Sequence, residues 1–120
     1  MEKIGVIGLG NIAQKAYLPV MATLQDKYEW HLTTRNEAKG EMLEKKYGFK
    51  HFHQTLDELI AEKPLAVFVH TPTSTHFEII KQLLNSGSNV YVDKPISEEL
   101  SEVEALYKLA AKNNLMLTCG

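Results

Sequence analysis

A chain of 120 residues, 44% hydrophobic and 23% charged, has the length of one domain and enough apolar side chains for a core, which excludes disorder by composition. One cysteine excludes an internal disulfide framework, and a net charge of −2 argues against a nucleic-acid binder, which needs a basic face. No apolar run approaches the ~18 residues of a membrane span, and Met1-Glu2-Lys3-Ile4-Gly5 lacks a signal-peptide layout, so a cytoplasmic protein with no membrane partner is expected.

In chain order, Lys3–Gly8 is a short β-branched run ended by glycine and reads as a buried strand. A helix follows, and Pro19 predicts a break or kink around Tyr17-Leu18. Glu29–Thr34 is a more polar strand candidate. Asn36 is placed to cap a helix that ends at a left-handed Gly48, and Phe49–His53 is a short further strand. Thr55-Leu56-Asp57-Glu58 has capping-box spacing, as do Thr75-His76-Phe77-Glu78 and Ser101-Glu102-Val103-Glu104, the last of which can fall inside a helix begun near Glu98. Leu65–His70 is the most strand-like segment, apolar on both faces as a central parallel strand is. Ile79, Ile80, Leu83 and Leu84 form the stripe of the helix that follows, which exits at Gly87. Asn89–Asp93 reads as a strand, Val103, Leu106, Tyr107, Leu109 and Ala110 as the apolar side of a helix, and Leu115–Cys119 as the last strand. Cys119 is expected to be a small buried residue, since no histidine partner suggests a nucleophile.

This alternation predicts an α/β fold: a Rossmann-type, doubly wound parallel sheet of six strands, order 3-2-1-4-5-6, with helices on both faces. Residues 1–120 then make one complete dinucleotide-binding domain.

The chemistry-bearing motifs fall at one edge of that sheet. In Gly8-Leu9-Gly10-Asn11-Ile12-Ala13, Gly8 permits the tight turn, Gly10 lets backbone approach a pyrophosphate, and small Ala13 lets the helix pack on the strand. The helix start then offers its amides to the phosphates, with Asn11 and Ile12 in line. The alternative is a glycine turn needed only for chain reversal. The acid that would bind a ribose diol at the end of the second strand is missing. Either Thr34 or Arg35 holds its place, and a hydroxyl followed by a guanidinium favours NADP over NAD.

His70-Thr71-Pro72-Thr73-Ser74-Thr75-His76 follows the fourth strand and faces the glycine turn, so Thr71 and Pro72 are placed to border the nicotinamide half of a dinucleotide. His76 either reaches the same crevice or is satisfied by local backbone, and His70 is a strand-end residue with a local partner. Asp93-Lys94-Pro95 closes the fifth strand. There Lys94 is placed to hydrogen-bond a substrate oxygen and move its proton, and the Lys94–Pro95 bond is a candidate cis peptide. His31, His51, His53, His70 and His76 lack metal-ligand spacing, so no metal site is expected.

The combination Ile4–Ala13, Thr71–His76 and Asp93-Lys94-Pro95 resembles the Gfo/Idh/MocA family of NAD(P)-dependent oxidoreductases across essentially the whole chain. Gln14-Lys15-Ala16-Tyr17-Leu18-Pro19 and Phe68-Val69-His70-Thr71 look most like its MviM-like branch. The resemblance implies hydride transfer to or from a hydroxyl or carbonyl of a sugar- or polyol-like substrate, with Lys94 in the catalytic-lysine role and also beside the cofactor. The family's usual Glu-Lys-Pro stands here as Asp-Lys-Pro. It also implies a C-terminal substrate domain, absent from this chain, that completes the active site and commonly forms the homo-oligomer interface. The chain alone is then expected to bind dinucleotide without turnover. The alternative is a stand-alone nucleotide-binding module or redox sensor.

Overall fold

The computed structural model describes residues 1–10 and 13–120. Six parallel strands form one sheet in the order β3-β2-β1-β4-β5-β6. They are β1 (Lys3–Ile7), β2 (Glu29–Thr33), β3 (His51–His53), β4 (Ala66–Val69), β5 (Asn89–Val92) and β6 (Leu117–Cys119). β1 pairs with β2 through Ile4↔Trp30 to Ile7↔Thr33 and with β4 through Ile4↔Ala66 to Ile7↔Val69. The chain therefore reverses its direction of travel across the sheet between β1 and β4, opening a crevice at their carboxyl ends.

Helices cover the two faces separately. The π-helical turn Ala13–Tyr17, α1 (Leu18–Ala22) and α2 (Glu37–Tyr47) lie on the face built from Ile4, Val6, Trp30 and Leu32. α3 (Leu56–Ala61), α4 (His76–Asn85) and α5 (Leu100–Lys112) lie on the face of Val67, Val69, Val90 and Val92. Each wholly buried leucine of these cores, such as Leu43, Leu59 or Leu83, contributes about 1.5–3 kcal/mol by leaving water. Among the described residues no helix is long and apolar enough to cross a membrane.

The local signals hold where both partners are close in sequence. Asn36 accepts from the Lys39 amide and caps α2, whose C-terminal Gly48 has φ +79°. Thr55 and Glu58 form the reciprocal capping box of α3. Pro19 falls at the start of α1, where the π-helical turn ending at Tyr17 gives way to an α-helix.

Other expectations are corrected. Thr75 stands at the N-cap position of α4 but its side chain caps nothing: Pro72 starts a 3₁₀ turn over Thr73–Thr75, and the Thr75 hydroxyl bonds Thr71 Oγ1 and the Pro72 carbonyl instead. Ser101 lies inside α5, as the reading of a helix begun near Glu98 allowed; the entry is organised by Ser97, which accepts from the Glu99 amide and donates to Glu102. Every predicted strand ends or starts a residue or two short; Leu65 and Met116, for instance, lie outside β4 and β6 and are exposed. The β4 residues are fully buried only at Val67 and Val69, because the opposite face is covered less completely there. Tyr107 and Cys119 are exposed, not buried.

Candidate functional site

Two open cavities meet at the carboxyl edge of the sheet. The first, about 710 Å³, is lined by Gly8, Thr34, Arg35, Thr71 and Pro72, together with Gln54, Thr55 and Asp57 from the β3–α3 junction. The second, about 680 Å³, is lined by Gly8, Gly10, His70, Thr71, Pro72, His76, Asp93 and Lys94. Gly8, Thr71 and Pro72 wall both, so the crevice is divided by the glycine turn and the β4 loop facing it. Each cavity is of the size that takes a small organic ligand. Of the predicted site residues, Asn11 and Ile12 lie outside the described residues.

The two glycines of the turn differ physically. Gly8 has φ +92°, and a Cβ there would stand 2.6 Å from the His70 carbonyl carbon and 2.8 Å from the Thr71 nitrogen. The fold itself demands this glycine, because β1 and the β4 loop touch through it. Gly10 is exposed, and a Cβ on it would meet nothing within 4 Å among the described residues. Among the described residues, no contact calls for a glycine at that position.

Thr34 and Arg35 follow β2 directly and line the first cavity together. The Thr34 hydroxyl accepts from the Asn36 amide at 3.1 Å, while Arg35 is exposed. At the other end of the crevice Lys94 is exposed, and the Lys94–Pro95 peptide is cis. His76 is buried, with Nδ1 3.0 Å from the Pro95 carbonyl oxygen and Nε2 2.9 Å from that of Thr71. Its ring is engaged with backbone, so it ties the β4 loop to the β5 loop and shapes the crevice from behind.

Contacts that the sequence did not single out complete the site, and the partner of the strand-end His70 is distant in the chain rather than local. His70 Nδ1 sits 2.9 Å from Asp93 Oδ2, so the residue before Lys94 is held across the β4–β5 pair. The Tyr17 ring packs on His70 at 4.5 Å between centroids. Its hydroxyl is pushed up to about 12, first by the hydrogen bond with Tyr91 and then by burial, so it remains a neutral phenol at physiological pH. Among the described residues, the buried side-chain polar atoms without a partner are Thr33 Oγ1 and His70 Nε2. One belongs to a residue of each cavity, which is where a polar ligand would satisfy them. Gln54 and Asp57 were findable in principle, because β3 lies beside β2 and its end must reach the same edge.

The expectation of no metal site rested on spacing along the chain. Across the β2–β3 pair, however, Glu29, His31 and His51 come together away from this crevice.

Comparison with known proteins agrees with this geometry. The sequence model of GFO_IDH_MocA, "Oxidoreductase family, NAD-binding Rossmann fold", matches residues 2–120. YceM of Salmonella typhimurium is 36% identical over 98% of this chain and 38% of its own length. The crystal structure of a dehydrogenase (MviM) from Clostridium difficile superimposes with a TM-score of 0.90 at 42% identity, over 99% of this chain and 39% of that one. Glucose-6-phosphate 3-dehydrogenase of Bacillus subtilis is 28% identical over 100% of this chain and 33% of its own length. The chain thus spans about 31–39% of the length of the relatives it matches.

Proposed function

Because the chain belongs to the Gfo/Idh/MocA oxidoreductase family, with its NAD-binding Rossmann fold, we propose that it is the cofactor-binding part of an enzyme acting on a hydroxyl or carbonyl of a sugar- or polyol-like substrate. The observation that carries this reading is Gly10, where a Cβ would meet none of the described residues within 4 Å, open toward a crevice walled by the β1 and β4 ends. Gly8, Gly10, Thr71 and Pro72 would hold the dinucleotide, with Thr34 and Arg35 around the adenosine ribose. The exposed guanidinium favours a 2′-phosphate and hence NADP. When bound, the nicotinamide supplies or accepts the hydride. Lys94 would hold the substrate oxygen by its ammonium group and give or take that oxygen's proton. Asp93, fixed by His70, sets where the Lys94 backbone leaves β5. The substrate class rests on the family resemblance and on relatives such as the glucose-6-phosphate dehydrogenase, and substrate selection is assigned to a second domain.

Titrating the chain with NADPH and NADH while following nicotinamide fluorescence tests the reading. Saturable binding of both, tighter for NADPH, is expected, with no turnover of sugars by the chain alone. An unchanged signal at millimolar cofactor would overturn it. In the full-length enzyme, Lys94→Ala should lower kcat by about 10²–10⁴-fold while cofactor affinity stays within a factor of a few.

A further inference from the structure

On the sheet face opposite α1, the β2–β3 edge carries three histidines in one patch. His31 and His51 are register partners and His53 pairs with Thr33 two residues on, on the same face. His31 has a side chain only 3% exposed, yet both its ring nitrogens have partners. Nε2 lies 2.6 Å from Glu29 Oε2, and Nδ1 lies 2.8 Å from His53 Nε2. His51 Nε2 lies 3.9 Å from the other Glu29 oxygen.

We propose that Glu29, His31 and His51 form a binding site for a divalent cation of the Zn²⁺ class. The three donor atoms all lie within 4.8 Å of one another. Tetrahedral coordination with bonds of about 2.0–2.1 Å puts donor atoms roughly 3.3 Å apart. One Glu29 oxygen lies 2.6 Å from His31 Nε2 and the other 3.9 Å from His51 Nε2, and the exposed His51 ring, stacked on His31 at 4.5 Å between centroids, would swing out of the stack to aim its Nε2 at an ion held by His31 and Glu29. Two imidazoles and one carboxylate suit Zn²⁺ and its neighbours better than Mg²⁺ or Ca²⁺, which take oxygen ligands. A water molecule would complete the fourth position, and a cavity of about 190 Å³ lined by Glu29 and His51 gives access from solvent.

His53 supplies the supporting hydrogen bond. With the metal on His31 Nε2, the ring proton must sit on Nδ1, where His53 Nε2 accepts it; this fixes both tautomer and ring orientation. The rival grouping of His31, His53 and Glu62 is disfavoured because the Glu62 carboxylate is already engaged by Lys3 Nζ at 2.9 Å. In the favoured set the ion would clamp β3, a three-residue edge strand, onto β2.

The test uses tag-free chain stripped with chelator and titrated with Zn²⁺ by calorimetry and with Co²⁺ by visible absorption. One equivalent should bind at micromolar or lower Kd, with the intense visible bands of tetrahedral Co²⁺. His51→Ala and Glu29→Gln, at partly exposed positions, should each weaken binding at least tenfold, with circular dichroism showing the fold retained. His53→Ala should weaken it by about 10–100-fold by releasing His31, whereas Glu62→Gln should leave it unchanged. Absence of binding overturns the site. So does undiminished binding by the His51→Ala and Glu29→Gln variants, or loss of binding on Glu62→Gln.

Discussion

Substituting alanine at each glycine of the β1 turn separates a turn kept for folding from a turn kept for a ligand. At Gly8 the new Cβ would sit 2.6–2.8 Å from backbone atoms of His70 and Thr71, and φ would remain at +92°. Left-handed backbone costs an L-residue about 1–2 kcal/mol, and forced overpacking about 1–3 kcal/mol. Gly8→Ala should therefore lose about 2–5 kcal/mol, a large share of the roughly 5–15 kcal/mol that holds a domain together. At Gly10 neither penalty applies among the described residues: φ lies outside the left-handed region and the Cβ meets none of them within 4 Å. Gly10→Ala should keep wild-type stability or gain about 0.4–1 kcal/mol through its stiffer unfolded chain. Its methyl group would nevertheless occupy the space a pyrophosphate needs, so NADPH affinity should fall at least tenfold, about 1.4 kcal/mol. Urea denaturation paired with cofactor titration reads both quantities. A Gly10→Ala chain that binds NADPH as well as wild type would show that the glycine serves chain reversal alone.

Arg35→Asp exchanges an attractive guanidinium for a repulsive carboxylate beside the 2′ position, so the ratio of NADH to NADPH affinity should rise at least tenfold; fluorescence titration with both cofactors checks it, and an unchanged ratio would remove Arg35 from the site. Thr55→Ala removes the α3 capping oxygen and should cost about 1 kcal/mol by urea denaturation. Hydrogen bonds from the Gln54 and Thr55 amides hold the Glu58 carboxyl below the ordinary glutamate range. A depressed folded value means stabilisation present above the unfolded value and lost as pH falls through the folded one, so the advantage of wild type over Glu58→Gln should vanish in that acidic window. Gly5 faces Leu59, with a virtual Cβ 2.9 Å from Leu59 Cδ1. Gly5→Ala should cost about 1–3 kcal/mol and Leu59→Ala about 2–5 kcal/mol, and the double variant should cost less than the two together, because the alanine fills space the leucine vacates.

What was legible in the sequence was chemistry that acts over a few residues or through strand periodicity. Asn36 and Gly48 bracket α2 because a side-chain acceptor and a left-handed glycine are local requirements. The parallel sheet follows from βα alternation and the handedness of crossovers, and its order 3-2-1-4-5-6 from placing the glycine turn after the first strand of a dinucleotide-binding fold. Thr75 shows the limit of a spacing rule. It has the same Thr-x-x-Glu pattern as Thr55, but Pro72 winds the chain into a 3₁₀ turn, so the Thr75 backbone is already helical where a cap must be extended. The His70–Asp93 contact and the Glu29–His31–His51 group were hidden for another reason. Both join residues on neighbouring strands, and the distance between them in sequence carries no trace of the register that brings them together.

The motifs at the carboxyl edge also explain one another once placed in space. Gly8 lacks a side chain, so the β4 loop can lie against β1 at His70 and Thr71. His70, brought there, reaches across to Asp93 and fixes the end of β5. His76 spans from the Thr71 carbonyl to that of Pro95, binding the two loops behind the crevice. Gly8, the Thr71–His76 loop and Asp93-Lys94-Pro95 are thus three contacts of one packed edge. Gly8 packs on His70, which bonds the Asp93 carboxylate next to Lys94, whereas Gly10, whose carbonyl accepts from the Gln14 amide, has open space where a Cβ would stand among the described residues. That separation is why the ordered set of motifs carries more information than the glycine turn alone: the set specifies an edge that is already assembled, and Gly10 leaves open space beside it among the described residues.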